Sequence, residues 1–211
     1  MEVEIWSDIA CPWCYLGKRR FERALEQFED RDEVHVIWRS FELDPGAPKD
    51  AGEDVASLVA RKYGRPREEI VERHEQMTEM AAGEGIEFRF DRARRGNTFD
   101  AHRLIHLGAS LGLGDETKER LLRAYHGEGV PIGDPEALAR VAAEVLPEAE
   151  VRATLAGDRF AEDVRTDEAL ARELDIHAVP AFVVDRRMAV SGAQPPELLV
   201  KMLRRAAEPV A

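Results

Sequence analysis

The chain is poor in cysteine: its 211 residues contain only Cys11 and Cys14, both in one Cys-Pro-Trp-Cys segment. A structural zinc site needs four ligands, and the sequence offers neither a second cysteine pair nor histidines at the finger distance from Cys14. No apolar run approaches the roughly 18 residues of a membrane-spanning helix, and no fixed-period repeat occurs. These absences disfavour a zinc module, a membrane protein and a repeat protein.

Positive charge is also scarce, since 42 acidic residues outnumber 30 basic ones and give a formal net charge of -12. Such a chain is repelled by phosphates, so we expect neither nucleic acid nor an anionic membrane surface as a partner. No basic and then apolar leader precedes the first predicted strand, and we therefore expect a cytoplasmic protein. Cysteine pairs in that compartment are more often catalytic than structural.

The cysteine segment lies where a predicted strand passes into a predicted helix. Residues 1–6 alternate acidic and apolar side chains, as in a half-buried strand, and residues after the segment recur at helical spacing. Cys11 would begin the helix, where free N–H groups and the helix dipole favour a thiolate. Cys14 falls one turn later on the buried face, at a spacing that a disulfide tolerates. A structural disulfide closing so short a loop stabilises little, so the pattern favours redox catalysis with Cys11 accessible and Cys14 shielded.

The rest of the chain predicts an α/β fold with a long helical stretch inside it. A second strand is predicted over residues 34–41, and prolines 45 and 48 end it. Residues 49–157 predict helices, apart from a doubtful strand over 86–90. Strands return at 176–185 and 188–191, with Arg186 and Arg187 as the turn between them. The other predicted helices cover residues 54–63, 66–82, 97–111, 116–126, 134–146, 148–156, 158–174 and 195–207.

Several segments together resemble the DsbA family of thioredoxin-fold oxidoreductases. The resemblance is strongest to its FrnE-like branch, a neighbour of the 2-hydroxychromene-2-carboxylate isomerases and kappa-class glutathione transferases. It implies a discontinuous thioredoxin-like domain, residues 1–48 and 158–211, with an all-helical insertion at 49–157. The segments that carry it are Cys11-Pro12-Trp13-Cys14, Phe41-Glu42-Leu43-Asp44-Pro45, Asn97-Thr98 with Ala101-His102-Arg103-Leu104, Val179-Pro180, and Val190-Ser191-Gly192-Ala193-Gln194.

The resemblance implies a thiol-disulfide oxidoreductase or isomerase that works through a mixed disulfide. Cys11 would attack, Cys14 would resolve, and Val179 with a cis Pro180 would face the cysteines and bind substrate. Disulfide-containing proteins or small thiols would be the partners, with no bound cofactor, glutathione as a candidate redox partner, and homodimerisation left open. The alternative is a glutathione-dependent isomerase or transferase of small aromatic or polyketide-like compounds, but those relatives typically carry serine where this chain has Cys11.

Three further residues are candidates for substrate contact. Trp13 lies between the cysteines, and Asn97 and His102 resemble a family element that faces the active site, although a helix cap and a surface histidine also explain them. Asp8 is expected to cap the loop before Cys11. We predict no metal site, because His102 and His106, four residues apart, lack a third ligand.

Overall fold

The computed structural model describes residues 1–49, 53–94 and 96–208. Within them the chain forms four strands and nine α-helices, with a 3-10 turn at Arg31–Glu33 and a π-helical turn at Ala124–Glu128. The order is β1 Glu2–Ser7, α1 Pro12–Glu26, β2 His35–Ser40, α2 Val55–Tyr63, α3 Arg67–Ala82, α4 Phe99–Ser110, α5 Gly114–Arg123, α6 Pro135–Ala142, α7 Glu148–Ala156, α8 Ala161–Glu173, β3 Ala181–Val184, β4 Met188–Ser191 and α9 Pro196–Ala207.

The four strands form one sheet in the order β2-β1-β3-β4, with β1 parallel to β2 and antiparallel to β3. Because side chains of a strand alternate between faces, Val3 and Ile5 of β1 join a core with α1 and α9. Trp6 faces the opposite side and packs against α8. The strand was predicted to be half-buried, but helices cover both faces, and even Glu4 is only 1% exposed.

Helix α1 lies between the sheet and the helical part of the chain. Phe21 and Ala24 enter the core of the sheet, whereas Tyr15 and Leu16 enter a second core formed mainly by the helices between β2 and β3. This position fixes the first turn of α1, with its cysteines, at the junction of the two cores. The division into units at residues 48/49 and 157/158 stays a prediction, and residues 50–52 at that boundary lie outside the described residues.

The predicted α/β order is confirmed, with three local differences. Residues 86–90 form no strand; Ile86 and Phe88 are buried in the helical core instead. The strand predicted from residue 176 begins only at Ala181, which pairs with Trp6 near the end of β1. The hairpin turn is centred on Asp185 and Arg186, both with positive φ, and not on Arg186 and Arg187. No helix in the described part of the chain has the length and apolar composition needed to cross a bilayer.

Candidate active site

Cys11 caps the N-terminus of α1. Its backbone is extended, and Pro12 occupies the first helical position, where the missing N–H removes no helical hydrogen bond. The first turn of α1 contains no acidic residue, so no negative side chain in this turn reduces the positive potential that the helix dipole creates at Cys11. Cys11 is only 4% exposed, less than the sequence predicted, and it is reached through the cavity described below.

Cys14 lies one turn deeper and is 1% exposed. Burial raises the pKa of its thiol well above the usual value, and the interaction with the neighbouring Cys11 sulfur raises this pKa further. The positive charge of Lys118 acts in the opposite direction. Both cysteines are reduced in the structure. The two sulfurs therefore differ: one caps a helix beside a cavity, and the other is held as a buried thiol.

The segment before β3 borders Cys11. The Cys11 thiol donates to the carbonyl oxygen of Val179 at 3.7 Å, and the Val179–Pro180 peptide bond is cis. Pro180 packs against α1 at Gly17, where a Cβ atom would lie 2.8 Å from the proline Cγ. The backbone N–H of Val179 has no acceptor among the described residues. A free donor therefore lies beside the first cysteine.

Asp8 holds the loop that precedes Cys11. Its carboxylate accepts from the N–H of Ala10 at 3.3 Å and from the N–H of Leu43 at 2.7 Å, which confirms the predicted capping role. Burial opposes ionisation of Asp8, but the interactions with His102 and with the backbone N–H groups of Leu43 and Ala10 outweigh it, so its pKa is lowered. The Nε2 atom of His102 lies 3.4 Å from Asp8 Oδ1. The interpretation of His102 as a surface residue was wrong, because α4 turns it inward and leaves it 1% exposed.

Asn97 and Trp13 occupy different positions relative to the cysteines. Asn97 accepts from the N–H of Phe99 at 3.0 Å, and so caps the start of α4. Its amide also donates, at 3.4 Å, to Glu42 and to the carbonyl of Pro45. Trp13 is 42% exposed and lies at the cavity. The roles of Asn97, His102 and Trp13 in substrate binding stay predictions.

A cavity of about 1220 Å³ opens beside Cys11. Besides Cys11, Trp13 and Val179, it is bordered by His126, whose burial lowers its pKa to about 3 and keeps the imidazole neutral. Sequence reasoning missed this cavity, because an apolar stripe on a helix normally indicates a packed core. Helices α2 and α3 contribute a large part of its apolar wall, with the side chains of Val55, Leu58, Val59, Ile70, Met77 and Met80.

Lys118 was also missed. It lies on α5 and is 1% exposed, with its Nζ donating to the carbonyl of Ser7 at 3.4 Å. Burial lowers its pKa to about 8, while Cys14, Asp8 and Cys11 act to raise it. A lysine on an amphipathic helix gives no sequence signal of burial, since such residues usually face solvent.

The sheet order, the Cys-x-x-Cys pair at the start of α1 and the Val179–Pro180 segment beside it define a thioredoxin-fold dithiol protein. Within the described ranges, no group of three or more histidine, cysteine or acidic side chains is arranged to hold a metal ion.

The model of the DSBA-like thioredoxin domain matches residues 2–204, and the chain belongs to this family of redox proteins. A probable DsbA oxidoreductase from Streptomyces coelicolor has a similar crystal structure, with a TM-score of 0.95 and 42% identity over 100% of this chain and 93% of that one. The cytosolic disulfide reductase DsbM of Pseudomonas aeruginosa shares the fold with a TM-score of 0.66 and 17% identity over 97% of this chain and 98% of that chain. A 2-hydroxychromene-2-carboxylate isomerase does so with a TM-score of 0.69 and 14% identity, covering 97% and 95%. Proteins described as oxidoreductases and as an isomerase thus share this fold.

Proposed function

We propose that this chain is a dithiol-disulfide oxidoreductase that acts on disulfides of proteins or small thiols. The Cys11 thiolate attacks a substrate disulfide, forms a mixed disulfide and releases the first substrate thiolate. Cys14 then loses its proton and attacks the Cys11 sulfur, which closes the Cys11–Cys14 disulfide and releases the second thiolate. The substrate gains two electrons and the enzyme loses them. One proton for the released thiols comes from Cys14 and the other from solvent, because Cys11 reacts as the thiolate. The reverse sequence donates a disulfide.

The observation that carries this proposal is the difference between the two sulfurs. Cys11 caps a helix beside a cavity, whereas Cys14 is buried one turn deeper within hydrogen-bonding reach of it. Exchange through a mixed disulfide needs one attacking sulfur that substrate can reach and one nearby sulfur that releases it. Membership in the DSBA-like family supports redox chemistry in general.

The substrate would approach through the cavity and meet Val179. The free N–H of this residue can pair with an extended peptide in the manner of a strand edge, and the exposed Trp13 would cover it. Glutathione is our candidate redox partner, and the cytoplasm our proposed compartment. DsbM, which is described as cytosolic, has also been solved with glutathione.

Single cysteine variants test the order of attack. Cys11→Ser should abolish reduction of oxidised glutathione and of a protein disulfide, while Cys14→Ser should accumulate a mixed disulfide that mass spectrometry detects as an adduct on Cys11. An active Cys11→Ser protein would reject the proposal. Equilibration of the wild-type pair in glutathione buffers then gives its reduction potential and so the favoured direction.

A second candidate function follows from the size of the cavity. Its volume and apolar wall would fit a small aromatic compound beside glutathione, as a glutathione-dependent isomerase or transferase requires. Calorimetric titration with reduced glutathione, followed by addition of an activated aryl halide as the electrophilic acceptor, tests this function. Saturable binding with turnover that survives Cys11→Ser would favour the second candidate, and absence of binding would count against it.

A further inference from the structure

Two lysines near α1 are buried to a similar degree but differ in their partners. Lys18 and Lys118 are 2% and 1% exposed, and their Nζ atoms lie 5.9 and 5.5 Å from the centre of the Trp38 ring. Lys18 forms ion pairs with Glu22, with Asp115 and with Glu119. Lys118 has no carboxylate within ion-pairing distance among residues 1–49, 53–94 and 96–208, and it donates only to the carbonyl of Ser7.

An ammonium group without a paired anion is costly to bury, so the surroundings of Lys118 need a compensating charge. The carboxylate that acts on Lys118 is that of Asp8. It is already bound by two backbone N–H groups and lies against His102. The remaining groups that can become negative are the two sulfurs. The ionisable groups that face Lys118 are Asp8 from the loop after β1, Cys11, Cys14 and Lys18 from α1, and His102 from α4.

The interaction between Lys118 and Cys14 is mutual. Among the neighbours of Lys118, Cys14 acts most strongly to keep the lysine charged, against the burial that lowers its pKa. Lys118 in turn counters the burial that raises the pKa of Cys14. Each charge therefore favours the other at this buried position.

We propose that Lys118 assists the resolving step as a positioning residue, by stabilising the Cys14 thiolate while it displaces substrate from Cys11. In this step the Cys14 S–H bond breaks, the Cys14–Cys11 bond forms and the bond from Cys11 to substrate breaks. The electron pair leaves with the substrate sulfur, and the proton lost by Cys14 ends on the released substrate thiol. This inference rests on the proposed function and extends it to a residue supplied by the helical part of the chain.

The expected effect follows from the usual size of charge interactions. Loss of a nearby opposite charge raises a thiol pKa by about 1–3 units. A more basic thiolate is a better nucleophile, with a Brønsted slope of about 0.4–0.5, so part of the loss is recovered. Removal of the charge should therefore slow resolution at pH 7 by about 3- to 50-fold.

The test is a rapid-quench experiment on the full-length chain with oxidised glutathione as the probe. Mass spectrometry follows formation of the glutathione adduct on Cys11 and its loss when Cys14 resolves it. Lys118→Met should slow loss of the adduct more than it slows formation, because Cys14 interacts with Lys118 more strongly than Cys11 does. Lys118→Arg, which keeps the charge, should restore much of the rate of loss. Lys18→Met is the matched control, because it removes an equally buried lysine on α1 but should leave resolution unchanged.

A second measurement keeps the test valid if Lys118→Arg does not fit its site. In the Cys11→Ser background, the alkylation rate of Cys14 is measured as a function of pH. The pH at which this rate is half-maximal should rise by about 1 unit or more when Lys118→Met is added, and it should not change when Lys18→Met is added. Resolution and titration that are unchanged in Lys118→Met would overturn the inference and leave the proposed function intact. If wild type and Cys14→Ser both fail to form an adduct with oxidised glutathione and with a protein disulfide, the proposed function itself fails.

Discussion

Replacing Gly17 with alanine would place a methyl group where the Pro180 ring now lies. The new Cβ would be 2.8 Å from Pro180 Cγ and 3.5 Å from Phe182 Cζ. The proline ring is rigid and the Phe182 side chain is fully buried, so neither can move away without displacing backbone. Alanine is preferred to glycine inside a helix by about 0.5–1 kcal/mol, whereas overpacking costs about 1–3 kcal/mol. We expect a net loss of about 0.5–2 kcal/mol.

Urea unfolding and thermal melting measure this loss, which corresponds to a Tm lower by about 1–8 °C for a chain of this size. Gly83→Ala is the matched control. Gly83 has a helical φ of -64° at the end of α3, its Cβ would contact only Met80 O at 3.4 Å, and the change should stabilise by about 0.4–1 kcal/mol. The Gly17 variant should also react more slowly with oxidised glutathione, because a shift of Pro180 would displace Val179, whose carbonyl oxygen contacts Cys11. If Gly17→Ala is as stable and as reactive as Gly83→Ala, the packing of Pro180 on α1 has been misread.

Three other changes probe the surroundings of the site. His126 has a pKa of about 3 in the folded protein but protonates near pH 6.5 when unfolded. The free energy of unfolding should therefore decrease as the pH falls below about 6.5, by about 2–3 kcal/mol at pH 4.5. Urea unfolding at pH 4.5 and at neutral pH should show that His126→Phe removes this loss, and an equal loss in wild type and variant would contradict the reasoning. Arg39→Met removes the guanidinium that binds Glu4 and Asp167. Because Glu4 keeps Arg186 and Asp167 keeps the Ser40 N–H, we expect urea unfolding to show a loss of about 1–3 kcal/mol. A smaller change would mean that solvent reaches these carboxylates. Trp13→Ala should change the free energy of unfolding by less than about 1 kcal/mol, because the side chain is 42% exposed. It should raise the KM for protein disulfides in a steady-state assay, and an unchanged KM would show that Trp13 does not contact substrate.

The elements with local signals were predictable from sequence. Periodicity and proline positions within a few residues of one another predicted the start of α1, the placement of its cysteine pair and the helical stretch. The burial of Glu4 was not predictable, because it depends on Arg39 and Arg186, which are brought to it by the sheet. His102 was misplaced for a similar reason: its inward orientation follows from how α4 packs near Asp8, and no neighbour in sequence indicates that packing.

The helices between β2 and α8 contribute to the chemistry of the site as well as to its shape. The strand-helix frame supplies the two sulfurs, but α4 places His102 against Asp8, and α5 places the charge of Lys118 where it acts on Cys14. Helices α2 and α3 contribute part of the cavity wall. The charge environment of Cys14 and the volume next to Cys11 are therefore set by different helices. It follows that substitutions in α5 should change the rate of resolution, while substitutions in α2 and α3 should change which disulfides reach Cys11. A chain that kept the Cys-Pro-Trp-Cys segment but exchanged these helices would keep the reaction and change both its pH dependence and its substrates.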